Sequence, residues 1–499
     1  MSRRLGVVGV IMIVLFLLLA GQTAYLQFWH AGALNSSDQN SRNFATQSSQ
    51  RGDIFATDGT PLAHSVRSGN GLYPWQRTYP LGSLTAGVVG FSSNYYGTWA
   101  LEAQYNSFLV AHKQPPESWA QVLAPISSAD SITLTLQPAL QRVAQTALAG
   151  RDGAVVAIDP RNGSILAMYS NPTYNPSLIT STVLANEQAA WKSYNTNDVH
   201  NFPPLGLVAT QQTFAPGSTF KILTTASAIV HMPELMTKSY PLLTCTPLPN
   251  SNKQLCNDGG RSCGGSVDVM LPESCDPGYA LMGLDLGGSN LSATANSFGY
   301  NAVNPLDLPG IVPSYFPPSG DFTFNQPQLA YSAIGQENVR ATALQNALVA
   351  AGIANGGRIM RPHLMRNIYS AEGRLVQFYY PSVWRTPLTP SEAAQIVPLM
   401  QNVVRYGTAS GVGFLPQDDV AAKTGTAQTG NSAQNTHDWM IAFAPASNPV
   451  IAIAVVVPYQ AVTAYGATVA GPIVRCVIEA DLALIAHLPP TNTATTCAR

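Results

Sequence analysis

Residues 215–222 read Ala215-Pro216-Gly217-Ser218-Thr219-Phe220-Lys221-Ile222, and residues 423–426 read Lys423-Thr424-Gly425-Thr426. The chain has six lysines in 499 residues, and two of them stand in these stretches. Ser218 precedes Lys221 by three positions, so on a helix both side chains lie on one face, about one turn apart. A serine hydroxyl is a poor nucleophile until a neighbouring base takes its proton. A lysine does this only when desolvation or nearby positive charge lowers its pKa. The Ala215-Pro216-Gly217 turn puts Ser218 at a helix start, where backbone N–H groups face a developing oxyanion.

The second stretch lies about two hundred residues later and opens the last regular region. Val420–Ala427, His437–Ala444 and Val450–Val457 read as three strands with short links, and Gly471–His487 as a closing helix. Strands joined this way form an antiparallel sheet that helices must cover, which makes the fold class mixed α/β, of the α+β kind. Upstream, Gly153–Met168 reads as a hairpin around Asn162-Gly163. Pro138–Leu148 has a helical pattern, as does the span from Ala330 to Ala354. Arg51–Ala63 reads as a short hairpin with an Asp58-Gly59 turn, and residues 240–275 as irregular, rich in Cys, Gly and Pro.

Charged residues make up only 10% of the chain and the net charge is −1, so nucleic-acid binding has no electrostatic basis. Ser2-Arg3-Arg4 precedes an uncharged run from Leu5 to Leu26, long enough to cross a bilayer. The arginines stay inside, which places everything after the run outside, with Tyr25, Phe28 and Trp29 at the outer interface. A cleaved signal peptide is the rival reading, against which stands the length of the run. The localisation expected is the cytoplasmic membrane, single-pass, with the bulk of the chain on the extracellular side. Six cysteines in that oxidising space permit disulfides in fifteen full pairings. The simplest joins sequence neighbours: Cys245–Cys256, Cys263–Cys275 and Cys476–Cys497. No C-x-x-C or histidine cluster occurs, so no metal and no cofactor is expected.

The two lysine motifs, in this order and separation, resemble those of the penicillin-interacting serine transpeptidases. The stretch Arg51-Gly52-Asp53-Ile54 to Asp58-Gly59-Thr60-Pro61-Leu62-Ala63 resembles the N-terminal domain signature of class B penicillin-binding proteins. Arg77-Thr78-Tyr79-Pro80, Val88–Phe91 and Leu101–Asn106 resemble later landmarks of that domain. The resemblance covers residues 5–487 and is closest to the shorter, actinobacterial type often called penicillin-binding protein A. It implies an anchor and flank (1–34), a non-catalytic pedestal or dimerisation domain (35–150), a transpeptidase domain with a five-stranded sheet flanked by helices (151–487), and a tail (488–499). By itself, Arg51 reads as half of a structural ion pair and Asp58 as a turn residue.

The family carries an S-x-N motif between the other two, and this sequence has none there. Three S-x-D stretches stand in the interval: Ser266-Val267-Asp268, Ser274-Cys275-Asp276 and Ser319-Gly320-Asp321. The second is the best candidate, because Leu271–Gly283 resembles the family's helix after that loop. Ser274 would then relay a proton to the leaving amine, with Asp276 in place of an amide. An ionised Asp276 would pair with Lys221 and keep it charged; a protonated one would mimic the amide. The family's N-R-A ahead of the nucleophile is also absent. The resemblance further implies that Lys423, Thr424 and Thr426 bind the terminal carboxylate of a D-Ala-D-Ala stem along an edge strand. Backbone N–H groups of Ser218 and Thr426 would form the oxyanion hole, and Gly425 would let the substrate come close. His437, Asp438, Trp191 and Trp439 read as structural.

The leading reading is a membrane-anchored serine D,D-transpeptidase that cross-links peptidoglycan stem peptides and is acylated by β-lactam antibiotics. Residues 35–150 hold no glycosyltransferase signature, so a membrane polymerase partner of the SEDS type is expected. The alternatives are a non-catalytic binder or sensor of cell-wall peptides or β-lactams, supported only by Asp276, and a serine β-lactamase, for which no water-activating Glu is evident.

Overall fold

The computed structural model describes residues 2–28, 49–69, 74–113, 119, 127–196, 202–429 and 435–485. The expected tail, Trp29 and Cys497 lie outside the described residues. Ser2–Phe28 is one helix of 27 residues, and side chains such as Ile11, Leu15 and Leu18 on it are exposed. The expected membrane-spanning helix is not shown: among the described residues, no helix is long and apolar enough to cross a membrane.

The C-terminal half is built on a five-stranded sheet. Its strands are β1 (Gly153–Ile158), β2 (Ile165–Asn171), β3 (Ala421–Gln428), β4 (Asn435–Ala444) and β5 (Ile451–Ala461). Their order is β2-β1-β5-β4-β3, and every pair is antiparallel. The last three strands match those expected from the sequence to within four residues at either end. They are so apolar because the sheet is buried on both sides. On β4, Trp439, Ile441 and Phe443 enter one core, while Met440, Ala442 and Ala444 enter the other. Helices close both faces: α4 (Ala343–Ala354) lies on one, and α5 (Gly466–Ile485) with Pro138–Leu148 on the other, while α1 (Lys221–His231), α2 (Val267–Glu273) and α3 (Asp276–Ser297) share the core of α4. Strand β3 is an edge.

Two expectations about this half need correcting. The helical pattern of 330–354 is two helices, Gln326–Ala333 and α4, because Gly335 turns the chain with φ +73°. The span 240–275 is not irregular. Tyr240–Leu243 pairs with Cys263–Gly265, and Cys245–Pro247 pairs with Gln254–Cys256. Strands of three or four residues, broken by Gly and Pro, carry too little alternation to be seen in sequence.

The N-terminal unit centres on a buried ion cluster. Glu102 accepts from Arg51 Nη2 (2.8 Å), Arg77 Nε (2.6 Å) and the Tyr79 hydroxyl (3.2 Å). The separate landmarks of the sequence therefore meet at one carboxylate. Asp58 closes its turn by accepting from the Thr60 amide at 2.9 Å. The unit's six-stranded sheet also takes in the hairpin Met365–Tyr369/Leu375–Phe378 from far along the chain. Trp191 is a packing residue, stacked on Tyr96 with ring centroids 4.1 Å apart.

Both disulfides expected in the 240–275 span are present, Cys245–Cys256 and Cys263–Cys275. Cys476 is also disulfide-bonded.

Candidate active site

Ser218 stands in a 3₁₀ turn, Gly217–Phe220, that runs directly into α1. Hydrogen bonds fix the turn on all sides. Trp439 Nε1 donates to the Ala215 carbonyl (2.9 Å), the Thr219 hydroxyl to the Pro216 carbonyl (2.8 Å), and the Gly217 amide to the Gly335 carbonyl (2.9 Å). Gly217 has φ +52°, and a Cβ there would lie 3.0 Å from the Thr426 carbonyl oxygen, so the turn sits against β3 beside Thr426. A Cβ on Gly425 would come within 2.8 Å of the Pro216 oxygen. The close approach that Gly425 permits is therefore that of the protein's own Ser218-bearing turn.

Lys221 begins α1, and its side chain is fully buried. Its ammonium donates to the Ser274 carbonyl (2.5 Å), to Asp276 Oδ1 (2.7 Å) and, more weakly, to Ser274 Oγ (3.3 Å). It also lies 5.5 Å above the Tyr279 ring centroid, a cation–π contact. Lys423, equally buried, donates to Ser274 Oγ and to the Thr424 carbonyl, both at 2.9 Å. The Ser274 hydroxyl thus stands between the two lysines. Ser218 Oγ makes no hydrogen bond among the described residues.

Ser274 gets there through its backbone. It caps α2 in the left-handed conformation (φ 60°, ψ 40°), and α3 starts two residues later at Asp276. That conformation costs a non-glycine residue about 1–2 kcal/mol, and here it turns both the carbonyl and the hydroxyl of Ser274 toward the lysines. The disulfide from Cys275 to Cys263 ties down the middle residue of the motif.

Desolvation dominates the electrostatics. Burial pulls Lys221 below the ordinary lysine range, and the Asp276 carboxylate only partly restores it. Burial and the Lys221 charge push Lys423 well below that range. Lys221 therefore has the lowered pKa that a base needs, while its lone pair is not yet free to accept a proton.

Of the residues singled out by sequence, Ser218, Lys221, Ser274, Asp276, Lys423, Gly425 and Thr426 come together around one cleft or its wall. Thr424 faces away: its hydroxyl bonds that of Thr408 at 2.6 Å. The Thr426 hydroxyl accepts from the Gly466 amide at the start of α5 (3.1 Å). The cleft has a volume of about 960 Å³ and is lined by Ser218, Asp276 and Thr426, among others. His437 also lines it, whereas Asp438 is fully buried with both carboxylate oxygens unpartnered among the described residues. Burial raises Asp438 to about 7.

Sequence reasoning missed Asn257 and Asp258. Asn257 Oδ1 accepts from the Asp276 amide at 3.0 Å, capping α3 from another segment, and its own position follows directly on disulfide-bonded Cys256. Asp258 lines the cleft; burial and Asp276 raise its pKa, and Lys221 lowers it. Neither lies in a spacing motif, and only the folded hairpin brings them to the site.

Comparison with known proteins decides the family. Residues 153–479 match the penicillin binding protein transpeptidase domain. The chain belongs to the penicillin-binding protein transpeptidases. Residues 51–131 match the penicillin binding protein A dimerisation domain. The transpeptidase is 34% identical to the peptidoglycan D,D-transpeptidase PbpA of Mycolicibacterium smegmatis, over 97% of this chain and 99% of that protein. It is also 34% identical to PbpA of Mycobacterium tuberculosis H37Rv, over 96% and 98% of the two chains. Among solved structures, the ceftriaxone acyl-enzyme complex of penicillin-binding protein A from M. tuberculosis superposes with a TM-score of 0.80 at 32% identity. The match covers 88% of this chain and all of that one. The transpeptidase is a serine-type enzyme of class B and of the penicillin-binding protein A type.

Proposed function

We propose that the transpeptidase cross-links peptidoglycan stem peptides through an acyl-enzyme on Ser218, and that β-lactams acylate the same hydroxyl. The observation that carries this reading is the Ser274 hydroxyl held between two buried lysines, 3.3 Å from Lys221 and 2.9 Å from Lys423, with Ser218 lining the open cleft.

In this mechanism Lys221 exchanges one of its present acceptors for Ser218 Oγ and takes its proton. The oxygen attacks the carbonyl between the two terminal D-alanines. Backbone N–H groups of Ser218 and Thr426 hold the oxyanion. The C–N bond then breaks, and the departing amine takes its proton through Ser274, which touches both lysines. A second stem's amine attacks the ester, returns its proton by the same route and releases Ser218. Lys423 and Thr426, without Thr424, receive the terminal carboxylate of the donor, with its peptide laid along the β3 edge.

The N-terminal helix is proposed as an uncleaved membrane anchor, since Arg3 and Arg4 precede an uncharged stretch and its described apolar side chains have no covering partner. The catalytic cleft would then lie outside the cytoplasmic membrane, where disulfides persist. Glycan strands would come from a SEDS-type polymerase in the same membrane.

Intact-mass analysis after penicillin treatment tests the central step. One adduct is expected, on the peptide that contains Ser218 and absent from Ser218→Ala. An adduct that survives that substitution would refute the assignment. Rapid loss of the adduct by hydrolysis would instead mark a β-lactamase.

A further inference from the structure

The cleft continues past Thr426 to a second charged group that the reaction does not use. Arg340 and His437 both line this end. The backbone explains their position. Phe214 and Ala341 exchange hydrogen bonds (3.0 and 2.8 Å), so the segment that holds Arg340 is sewn to the strand four residues ahead of Ser218. His437 pairs with Ala427, the residue after Thr426 on β3.

Arg340 has no carboxylate partner among the described residues. Its Nη1 donates to two backbone carbonyls of its own loop, Glu337 (2.5 Å) and Val339 (2.8 Å). Nε and Nη2, which together make one bidentate edge of the guanidinium, have no acceptor among the described residues. The nearby Glu337 side chain is exposed and does not pair with it. His437 is 8% exposed, and its Nδ1 has no hydrogen-bond partner among the described residues. Its ring is held between the edges of Phe214 and Tyr459, each with centroids 5.0 Å away. Burial and the Arg340 charge lower it to about 4, so the ring is neutral at neutral pH and one nitrogen can donate without adding charge.

We propose that Arg340, with His437 beside it, forms a carboxylate-binding subsite for the donor peptide, upstream of the scissile bond. This rests on the acyl-enzyme reading of Ser218. With the terminal carboxylate at the Lys423 end of β3 and the scissile carbonyl at Thr426, a peptide antiparallel to β3 runs its earlier residues past Ala427 and Gln428. That path leads to the free guanidinium edge, whose planar pair of N–H donors matches the two oxygens of a carboxylate. The site therefore selects donors that carry an acidic side chain or branch carboxylate in that stretch over those in which it is amidated.

The test uses the full chain in detergent micelles and paired synthetic peptides ending in D-Ala-D-Ala. Within each pair, one upstream residue carries a carboxylate or its carboxamide. The readout is the ratio of kcat/KM for D-Ala release within a pair, so any loss of folded enzyme cancels. For at least one upstream position, wild type should favour the carboxylate by roughly tenfold, the worth of one charge-assisted hydrogen-bonded contact. Arg340→Gln, which still has an N–H for the loop carbonyls, should bring the ratio near one. Arg340→Lys should keep part of the preference through its charge. A wild-type ratio within twofold of one at every position, or an unchanged ratio in Arg340→Gln, overturns the subsite. If penicillin still labels Ser218 in that case, only the subsite falls; if it does not, the acyl-enzyme reading falls with it.

Discussion

Two regions of this molecule bury the same charges to opposite ends. In the N-terminal unit, Arg51 and Arg77 flank Glu102; in the cleft, Lys221 and Lys423 stand near Asp276. Each sets two buried cations against one close carboxylate, with a second, less buried one nearby: Asp53, 4.0 Å from Arg77, and Asp258 in the cleft. Around Glu102 the cluster is settled: burial alone would raise the glutamate, but Arg77 and Arg51 outweigh it and hold its pKa below the ordinary range. Burial alone would likewise lower Arg77, and Glu102 outweighs that. In the cleft, burial wins, and both lysines are lowered. The residue type makes the difference consequential. A guanidinium keeps its proton in any protein environment, whereas a desolvated ammonium can yield one. The buried cations are therefore fixed structural charges in one region and, in the proposed mechanism, a source of base in the other.

The sharpest way to break this comparison is to put the pedestal's cation into the cleft. Lys221→Arg keeps a positive charge near Asp276 but removes the base. Acylation of Ser218 by a fluorescent penicillin should fall by about 10²–10⁴-fold, the usual worth of a general base. A rate within tenfold of wild type would mean that Lys221 acts only as a charge. The converse change is Glu102→Gln, which leaves Arg51 buried without its carboxylate partner and Arg77 with only Asp53, 4.0 Å away. It should cost about 3–5 kcal/mol of stability, read as a lower midpoint in denaturant. The folded fraction should still acylate at the wild-type rate, since Glu102 touches nothing in the cleft. The same cluster should weaken in acid. Because the folded pKa of Glu102 is depressed, its stabilisation is full above the ordinary glutamate value and is lost as pH falls through the folded one. A midpoint that does not move in Glu102→Gln would show that the cluster contributes nothing to stability.

These regions also differ in how far sequence alone reveals them. Ser218-x-x-Lys221 and Lys423-Thr424-Gly425-Thr426 are local, and their chemistry dictates their spacing, so they are visible without a structure. The last three strands are visible because burial on both faces makes them continuously apolar. Ser274 could be placed only through the helix that follows it, since S-x-D is weak by itself. Its left-handed backbone, which is what turns carbonyl and hydroxyl toward the lysines, left no sequence mark. Asn257 and Arg340 were invisible. One reaches the site through a disulfide-tied hairpin, the other through a bridge to Phe214, and neither contact has a period or a spacing. The meeting of Arg51, Arg77 and Glu102 was half visible, as an ion pair without its partner named.

Asp276 offers the finest test of the comparison, because it is what the cleft shares with Glu102. It forms the 2.7 Å pair with Lys221, and its charge and hydrogen bond are what most oppose the effect of burial on that lysine. Lys221 therefore sheds its proton at a higher pH than burial alone would set, and acylation should rise with pH as it does so. Asp276→Asn removes the opposing charge and keeps a side-chain oxygen for the ammonium to donate to. The rise in acylation rate should then move to lower pH. At pH 7 the rate should increase by up to about tenfold, the worth of one charge-assisted hydrogen-bonded contact expressed as a ratio. Lys423 and Asp258 also face this pair, so the profile belongs to the cluster and not to Lys221 alone. The measurement is second-order acylation by penicillin from pH 5 to 9, wild type against Asp276→Asn. Superimposable profiles would show that Asp276 does not govern the base, and the cleft would then be settled by burial alone, with no counterpart to Glu102.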